Sequence, residues 1–258
     1  MNNLNLKHIA ENLLDTFFEA GKIATQISQR GVKITIKDDQ SPVTDGDLAV
    51  NELLTNKIKN LTPDIPIISE ETVNFNNKNN NKNFWLIDPI DGTRDYIKKR
   101  DEYTLNAALI INLQPVLGVV YAPAKNRLFF SFGKNFAFEI KDEKKVALNC
   151  DKKYQNKIIG LENSGFTPPE VLDIYEKHKV TETLKVSSSF KFCLLAAGEA
   201  DIYAAKARAY EWDIAAGHTI LEHAGGIVTT HEKKAFLYGK ENYKNLPIIA
   251  KRSSELDK

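Results

Sequence analysis

Residues 85–93 read WLIDPIDGT. The apolar run Trp85-Leu86-Ile87 leads directly into Asp88, and Asp91 follows three residues later. Pro89 keeps Asp88 extended and is expected to stop the ladder of a strand that occupies residues 84–87. Gly92 gives the backbone freedom just beyond Asp91. Thr93 is expected to cap a short helix through RDYIKK, leaving the amides of Gly92 and Thr93 open to a phosphate. The stretch therefore reads as a strand-end turn that presents two carboxylates together.

Two other segments bring carboxylates to the ends of buried apolar runs. Residues 65–69 form a strand candidate that ends at Glu70-Glu71; because neighbours on a strand face opposite ways, only one of the pair is expected to be a ligand. Residues 211–226, EWDIAAGHTILEHAGG, place Asp213 at the start of an apolar helix that closes at Gly225-Gly226, where the helix dipole is expected to keep its carboxylate ionised. Taken singly, Glu70-Glu71 reads more simply as a solvated pair, Asp91-Gly92 as a surface turn and Asp213 as an N-cap. Jointly, four converging carboxylates would repel by roughly 4 kcal/mol per close pair at an effective dielectric of 20, so the cluster requires cations. Oxygen donors without His or Cys point to magnesium.

Further outward, apolar residues at three- and four-residue spacing predict an amphipathic helix over residues 4–27, covering a sheet. The polar turn DDQSPVTDGD (38–47) leads to a second helix carrying Val50, Leu53, Leu54 and Ile58. NFNNKNNNKN (74–83) buries no apolar face and is expected to be a surface loop. Residues 103–111, 116–121, 127–132 and 136–140 predict an antiparallel meander. Beyond residue 150, strand candidates at 157–161, 184–186, 227–230 and 247–250 alternate with helical segments in an α/β pattern. The boundary falls within residues 151–157.

The 258 residues suffice for a large core, and 35 basic against 34 acidic residues, without long blocks of either sign, give no reason to expect a nucleic-acid partner. No stretch approaches the roughly 20 apolar residues of a membrane span, and the N-terminus carries no secretory pattern. Cys150 and Cys193 lie far apart, as expected of unpaired thiols in a reducing cytoplasm, and the five histidines lack zinc spacing. Neither a P-loop nor a G-x-G-x-x-G segment occurs, which disfavours a nucleotide kinase or a dehydrogenase.

WLIDPIDGTRDY, the preceding IISEE and the distant EWDIAAGHTILEHAGG together resemble the three signatures of the inositol monophosphatase superfamily, the lithium-sensitive magnesium phosphatases. SPVTDGD, KKRDEYTLNAALI, GVVYAP and SSSFKFCLLAAGEADIY look most like its CysQ branch, the 3'(2'),5'-bisphosphate nucleotidases. The resemblance implies a mixed α+β / α/β fold, a layered αβαβα sandwich. Its N-terminal half (1–152) would supply most metal ligands, and its C-terminal half (153–258) would contribute Asp213 and substrate contacts.

The resemblance further implies two to three magnesium ions. The first would be held by Glu70, Asp88 and the carbonyl of Ile90, the second by Asp88, Asp91 and Asp213, and a weaker third would sit near Glu70. Asp47 and Thr93 would form the dyad that activates the attacking water. Gly92 and Thr93 would hold the phosphate, and Ser188, Lys191 and Asp213 the rest of a small phosphorylated metabolite. Two departures stand out. Ala205 occupies the position of the branch's arginine, and LENSGFTPPE (161–170) lacks a histidine often found there. Lys206 or Arg208 could replace the missing charge, although a solvated face explains either more simply. The implied activity is hydrolysis of 3'-phosphoadenosine 5'-phosphate by metal-activated water. The rivals are an inositol or other small sugar-phosphate phosphatase and a non-catalytic binder of metal or phosphorylated metabolites. A cytoplasmic location, with peripheral membrane association left open, and a homodimer complete the expectation.

Overall fold

The computed structural model describes residues 4–37, 39–75, 81–150 and 157–257. Residues 76–80 of the asparagine-rich loop and residues 151–156 of the anticipated boundary lie outside them. In chain order the elements begin with α1 (Leu6–Arg30), β1 (Ile34–Ile36), β2 (Pro42–Thr44), α2 (Asp45–Leu61), β3 (Ile67–Ser69), β4 (Phe84–Asp91) and α3 (Thr93–Ile97). A meander follows: β5 (Thr104–Ile111), β6 (Gln114–Ala122), β7 (Arg127–Ser131), β8 (Ala137–Lys141) and β9 (Lys144–Ala147). The remainder comprises β10 (Ile159–Glu162), α4 (Pro169–Lys177), β11 (Glu182–Lys185), α5 (Phe190–Ala196), β12 (Ile202–Ala205), α6 (Glu211–His223), β13 (Ile227–Thr230) and β14 (Ile248–Lys251).

Strands β3 to β9 form one sheet in sequence order, with β3 parallel to β4 and every later pair antiparallel. A second sheet has the order β11-β10-β12-β14-β13. Side-chain parity then assigns the layers. Trp85 and Ile87 of β4 pack with Leu13, Phe17 and Ala20 of α1 and Val50 and Leu54 of α2. Phe84 and Leu86 face the other way, into a core shared with α5, α6 and the second sheet. On β12, Tyr203 and Ala205 join that central core, while Ile202 and Ala204 pack against Val171 and Tyr175 of α4. The result is the αβαβα sandwich, and each large apolar side chain so buried stabilises it by roughly 1.5–3 kcal/mol.

Parity also aims the chemistry. Asp88 continues the Phe84-Leu86 face, toward the layer that contains α6. Helix α6 lies close upon the first sheet because Gly118 of β6 has no Cβ; one built there would meet the Ala216 carbonyl oxygen at 2.5 Å.

Several boundaries differ from expectation. Pro89 does not end β4: the pairing with β5 lapses after Asp88 and resumes at Asp91 opposite Thr104, across a bulge. Four strands gave no usable pattern. β1 and the edge strand β9 are short and exposed throughout, β2 is only three residues long, and β12 is buried on both faces, so none of them alternates.

Candidate active site

In an unbroken strand, residues three apart point to opposite faces, and Asp88 and Asp91 would diverge. The bulge between them corrects the parity, and both carboxylates line one cavity. Gly92 closes the turn in the left-handed region (φ 94°, ψ 34°), where its missing Cβ would approach the Glu102 carbonyl oxygen at 3.1 Å. Gly92 is itself the N-cap of α3, and Thr93 is the helix's first residue with no capping bond, contrary to expectation. Freed from that duty, the Thr93 hydroxyl lies 3.1 Å from the carbonyl oxygen of Ile90 and 3.4 Å from Oδ1 of Asp47.

Asp47 reaches this point from the first turn of α2. Its other oxygen accepts the backbone N–H of Thr44 at 2.8 Å and the Thr44 hydroxyl, while Thr44 Oγ1 accepts from the Asp47 amide at 3.3 Å. This capping box fixes the carboxylate within the fold. Burial pushes its pKa up to about 6, against the lowering effect of the Thr44 hydrogen bonds.

Glu70, Asp88 and Asp213 converge from β3, β4 and α6, with one carboxylate oxygen of each within 4.8 Å of the others. Glu70 is placed by its amide, which donates to the Ile87 carbonyl at 3.1 Å. Its neighbour Glu71 turns instead to Lys37, whose Nζ lies 2.8 Å from Glu71 Oε2 and 3.3 Å from Glu70 Oε1. Asp213 accepts the Tyr210 N–H at 2.8 Å from the third position of α6. Burial, reinforced by the charges of Asp91 and Glu70, pushes Asp213 well above the usual carboxylate range, against the lowering effect of its Tyr210 hydrogen bond. Asp88 is raised in the same direction by burial, then by Glu70, Asp91 and Asp213. Asp88 Oδ1 is buried with no hydrogen-bond partner among the described residues. An orphaned oxygen amid mutually repelling oxygen donors fits a hard divalent cation.

Asp91 stands beside this trio and ties the two sheets' layers together. Its Oδ2 accepts the backbone N–H of Ser189 at 2.5 Å, and burial raises it to about 6 despite the opposing charge of Lys191. The Ser189 hydroxyl is itself held by Asn106 at 2.6 Å and Thr104 at 2.9 Å. Ser188, at φ 59°, adopts a left-handed conformation uncommon for a residue with a Cβ. Lys191 stabilises that loop: buried, its Nζ donates to the carbonyls of Ser188 at 2.7 Å and Val186 at 3.1 Å. Burial pushes it down to about 8. With two of its three protons engaged, Lys191 keeps one for the cavity it lines.

The cavity, of about 510 Å³, receives Glu70, Asp88, Ile90, Asp91, Gly92, Thr93, Ser188, Lys191 and Asp213 in its walls. Asp47 lies behind Thr93 rather than among the lining residues. The structure also brings in residues that sequence reasoning passed over: Asn163, Tyr203 and Asn245. Ser189 was missed as well; it stood within the quoted SSSFK segment, but no spacing rule says which of three serines meets Asp91. Arg208, more simply assigned to a solvated face, lines the cavity, and so does Lys206.

The profile described as the inositol monophosphatase family matches residues 5–256. A protein of Buchnera aphidicola named 3'(2'),5'-bisphosphate nucleotidase CysQ is 40% identical over 205 residues, 79% of this chain and 76% of its own. The protein of the same name from Escherichia coli K12 is 34% identical over 207 residues, 80% of this chain and 82% of its own. The crystal structure of CysQ from Bacteroides thetaiotaomicron superposes with a TM-score of 0.79 at 29% identity, covering 96% of this chain and 98% of that one.

Proposed function

The chain belongs to the inositol monophosphatase family, and from that premise we propose that it is a magnesium-dependent phosphomonoesterase, a 3'(2'),5'-bisphosphate nucleotidase that converts 3'-phosphoadenosine 5'-phosphate to AMP and phosphate. The observation that carries the catalytic reading is the convergence of Glu70, Asp88 and Asp213 around a buried, unpartnered carboxylate oxygen, next to the Asp47–Thr93 pair. The substrate reading rests on the names of relatives that are 31–40% identical.

Glu70, Asp88, Asp91, Asp213 and the Ile90 carbonyl would hold two to three magnesium ions, which supply Lewis-acid stabilisation of phosphoryl charge. The chain's own residues do the rest. Asp47 is fixed through Thr44 and accepts the Thr93 hydroxyl proton, which turns the Thr93 lone pairs toward the cavity to receive a hydrogen bond from the attacking water. Two acceptors lie within reach of the single Thr93 proton, the Ile90 carbonyl at 3.1 Å and Asp47 Oδ1 at 3.4 Å, and the Ile90 carbonyl is the one that would be turned to a cation. Through Thr93, the Asp47 carboxylate draws off the water's proton near neutral pH as the water approaches phosphorus in line. Ser188 and Lys191 line the side on which the remainder of the substrate lies, and the Gly92–Thr93 backbone borders the phosphate. Residues 1–152 supply the ligands apart from Asp213, and 153–258 close the site from the other side. A cytoplasmic location and a homodimer belong to the same reading.

Ala205, in place of the branch's arginine, favours one rival, a phosphatase of inositol or other sugar monophosphates. Phosphate release is to be measured from 3'-phosphoadenosine 5'-phosphate, inositol 1-phosphate and fructose 1,6-bisphosphate with magnesium, with and without lithium. We expect the nucleotide to be preferred and lithium to inhibit. Preference for inositol 1-phosphate would transfer the chain to the rival, and release from none of the three would leave it a binder.

A further inference from the structure

The far wall of the cavity, built by the segment after β12, poses a separate question. A small second cavity of about 40 Å³ adjoins the main one, and the two share Asn163, Ala205, Lys206 and Arg208. Ala205, the last residue of β12, brings only a methyl group to this junction. Two cations remain at the junction, and their surroundings differ. Lys206 Nζ lies 2.8 Å from Glu170 Oε2, outside the site. Arg208 is exposed and, among the described residues, has no ion-pair or hydrogen-bond partner.

Elsewhere on the rim, Arg100 is 3.1 Å from Asp95, and Lys191 is held by two carbonyls. Arg94 and Lys98 border the cavity from α3, on the Thr93 side. The charge of Arg208, by contrast, is felt at Asp91, Lys191 and Tyr203. A cavity of 510 Å³ is the size that admits a whole nucleotide rather than one phosphate, so a ligand anchored at the carboxylates extends to this wall. An unpaired guanidinium there offers a two-pronged donor that matches a phosphate.

We infer that Arg208 is the specificity-determining residue for the phosphate that is not cleaved, binding the 5'-phosphate of the substrate at the wall it shares with Ala205. The inference rests on the nucleotidase reading above. In the magnesium-loaded enzyme, kcat/KM is compared for 3'-phosphoadenosine 5'-phosphate and adenosine 3'-monophosphate, which share the reacting phosphate. Arg208→Ala is expected to reduce the preference for the bisphosphate by about 10- to 100-fold, chiefly through KM, and Arg208→Lys to recover part of it. An unchanged preference, or a preference that collapses in Arg94→Ala and not in Arg208→Ala, would overturn it. If the wild type fails to hydrolyse the bisphosphate, the nucleotidase reading falls, and calorimetry decides on Arg208 independently. AMP should then bind more tightly than adenosine by a margin that Arg208→Ala removes, and an equal margin in both proteins would sink the assignment.

Discussion

The cavity has two poles built on opposite principles. At the carboxylate pole, Asp88 and Asp47 are each about 1% exposed and are fixed by the bulge in β4 and the capping box of α2. At the far wall, Lys206 and Arg208 follow the last residue of β12, both exposed, on a segment with little regular structure. Burial makes the first pole rigid and electrostatically strong, because charges there are poorly screened. Exposure makes the second adjustable, so residues can change without disturbing the layers beneath. On the reading proposed above, the reaction belongs to the first pole and the choice of substrate to the second.

The most severe way to break the first pole is Asp91→Asn. The amide oxygen can still accept the Ser189 N–H, so the contact between the two layers survives. The negative charge does not, and we expect kcat to fall at least about 1,000-fold at ordinary magnesium, as for loss of a preorganised charge-stabilising group. Circular dichroism and the melting temperature should be those of the wild type. Near-normal phosphate release from a folded variant would remove Asp91 from the site.

Thr93→Ala tests the dyad rather than the cation. Asp47 keeps its Thr44 donors in that variant, so the carboxylate stays in place. Loss of the relay should reduce kcat by about 100-fold, within the range of general acid–base effects, with the magnesium concentration for half-maximal activity preserved. Thr93→Ser should recover most of the loss. A shift in magnesium affinity comparable to the loss in kcat would instead make Thr93 part of the ligand framework.

The same contrast explains what could be read from sequence. Asp88, Asp91, Glu70 and Asp213 were legible because each stands at one end of an apolar run long enough to be a buried element, Asp213 at the start of its helix and the others at the end of their strands, and burial leaves a pattern. The layered sandwich was implied by the family resemblance; the periodicity of α1 and of the meander by itself predicted only a helix covering an antiparallel sheet. The bulge in β4 was not legible, because WLIDPID specifies a break without saying whether pairing resumes. Ser189 was hidden because its contribution to Asp91 is a backbone N–H, which every residue but proline possesses. Arg208 was undervalued because an exposed arginine in a loop has the same local sequence whether it borders solvent or a cavity.

Acidity offers a third test of the carboxylate pole. In metal-free protein, Asp47 and Asp91 are pushed up to about 6, whereas an ordinary aspartate in the unfolded chain titrates at 3.8. Between those values the folded chain holds protons that the unfolded chain has released, so stability rises as pH falls from about 7 toward 4. Each group contributes at most about 3 kcal/mol. Glu70, Asp88 and Asp213 act in the same direction, while His223, pushed down to about 4 by burial, opposes with one group. Melting temperature in a chelator should therefore increase from pH 7.5 to 5.5. Magnesium, which requires ionised ligands, should raise it more at pH 7.5 than at 5.5. A metal-free protein that loses stability over this interval would contradict the cluster's geometry.

The smallest effect is expected at the far wall. Lys206 lines both cavities as Arg208 does, but its ammonium meets Glu170 where both side chains are about half exposed, at 47% and 59%. Water and salt screen such a pair, and neither partner anchors a layer. Lys206→Gln should leave the melting temperature unaltered and change the preference for the bisphosphate over the monophosphate by less than about twofold. Two cations two residues apart would then differ in effect because one faces a carboxylate and the other an open cavity. If Lys206→Gln instead lowers the preference as far as Arg208→Ala does, the wall acts through its summed charge, and the guanidinium geometry at position 208 carries no special role.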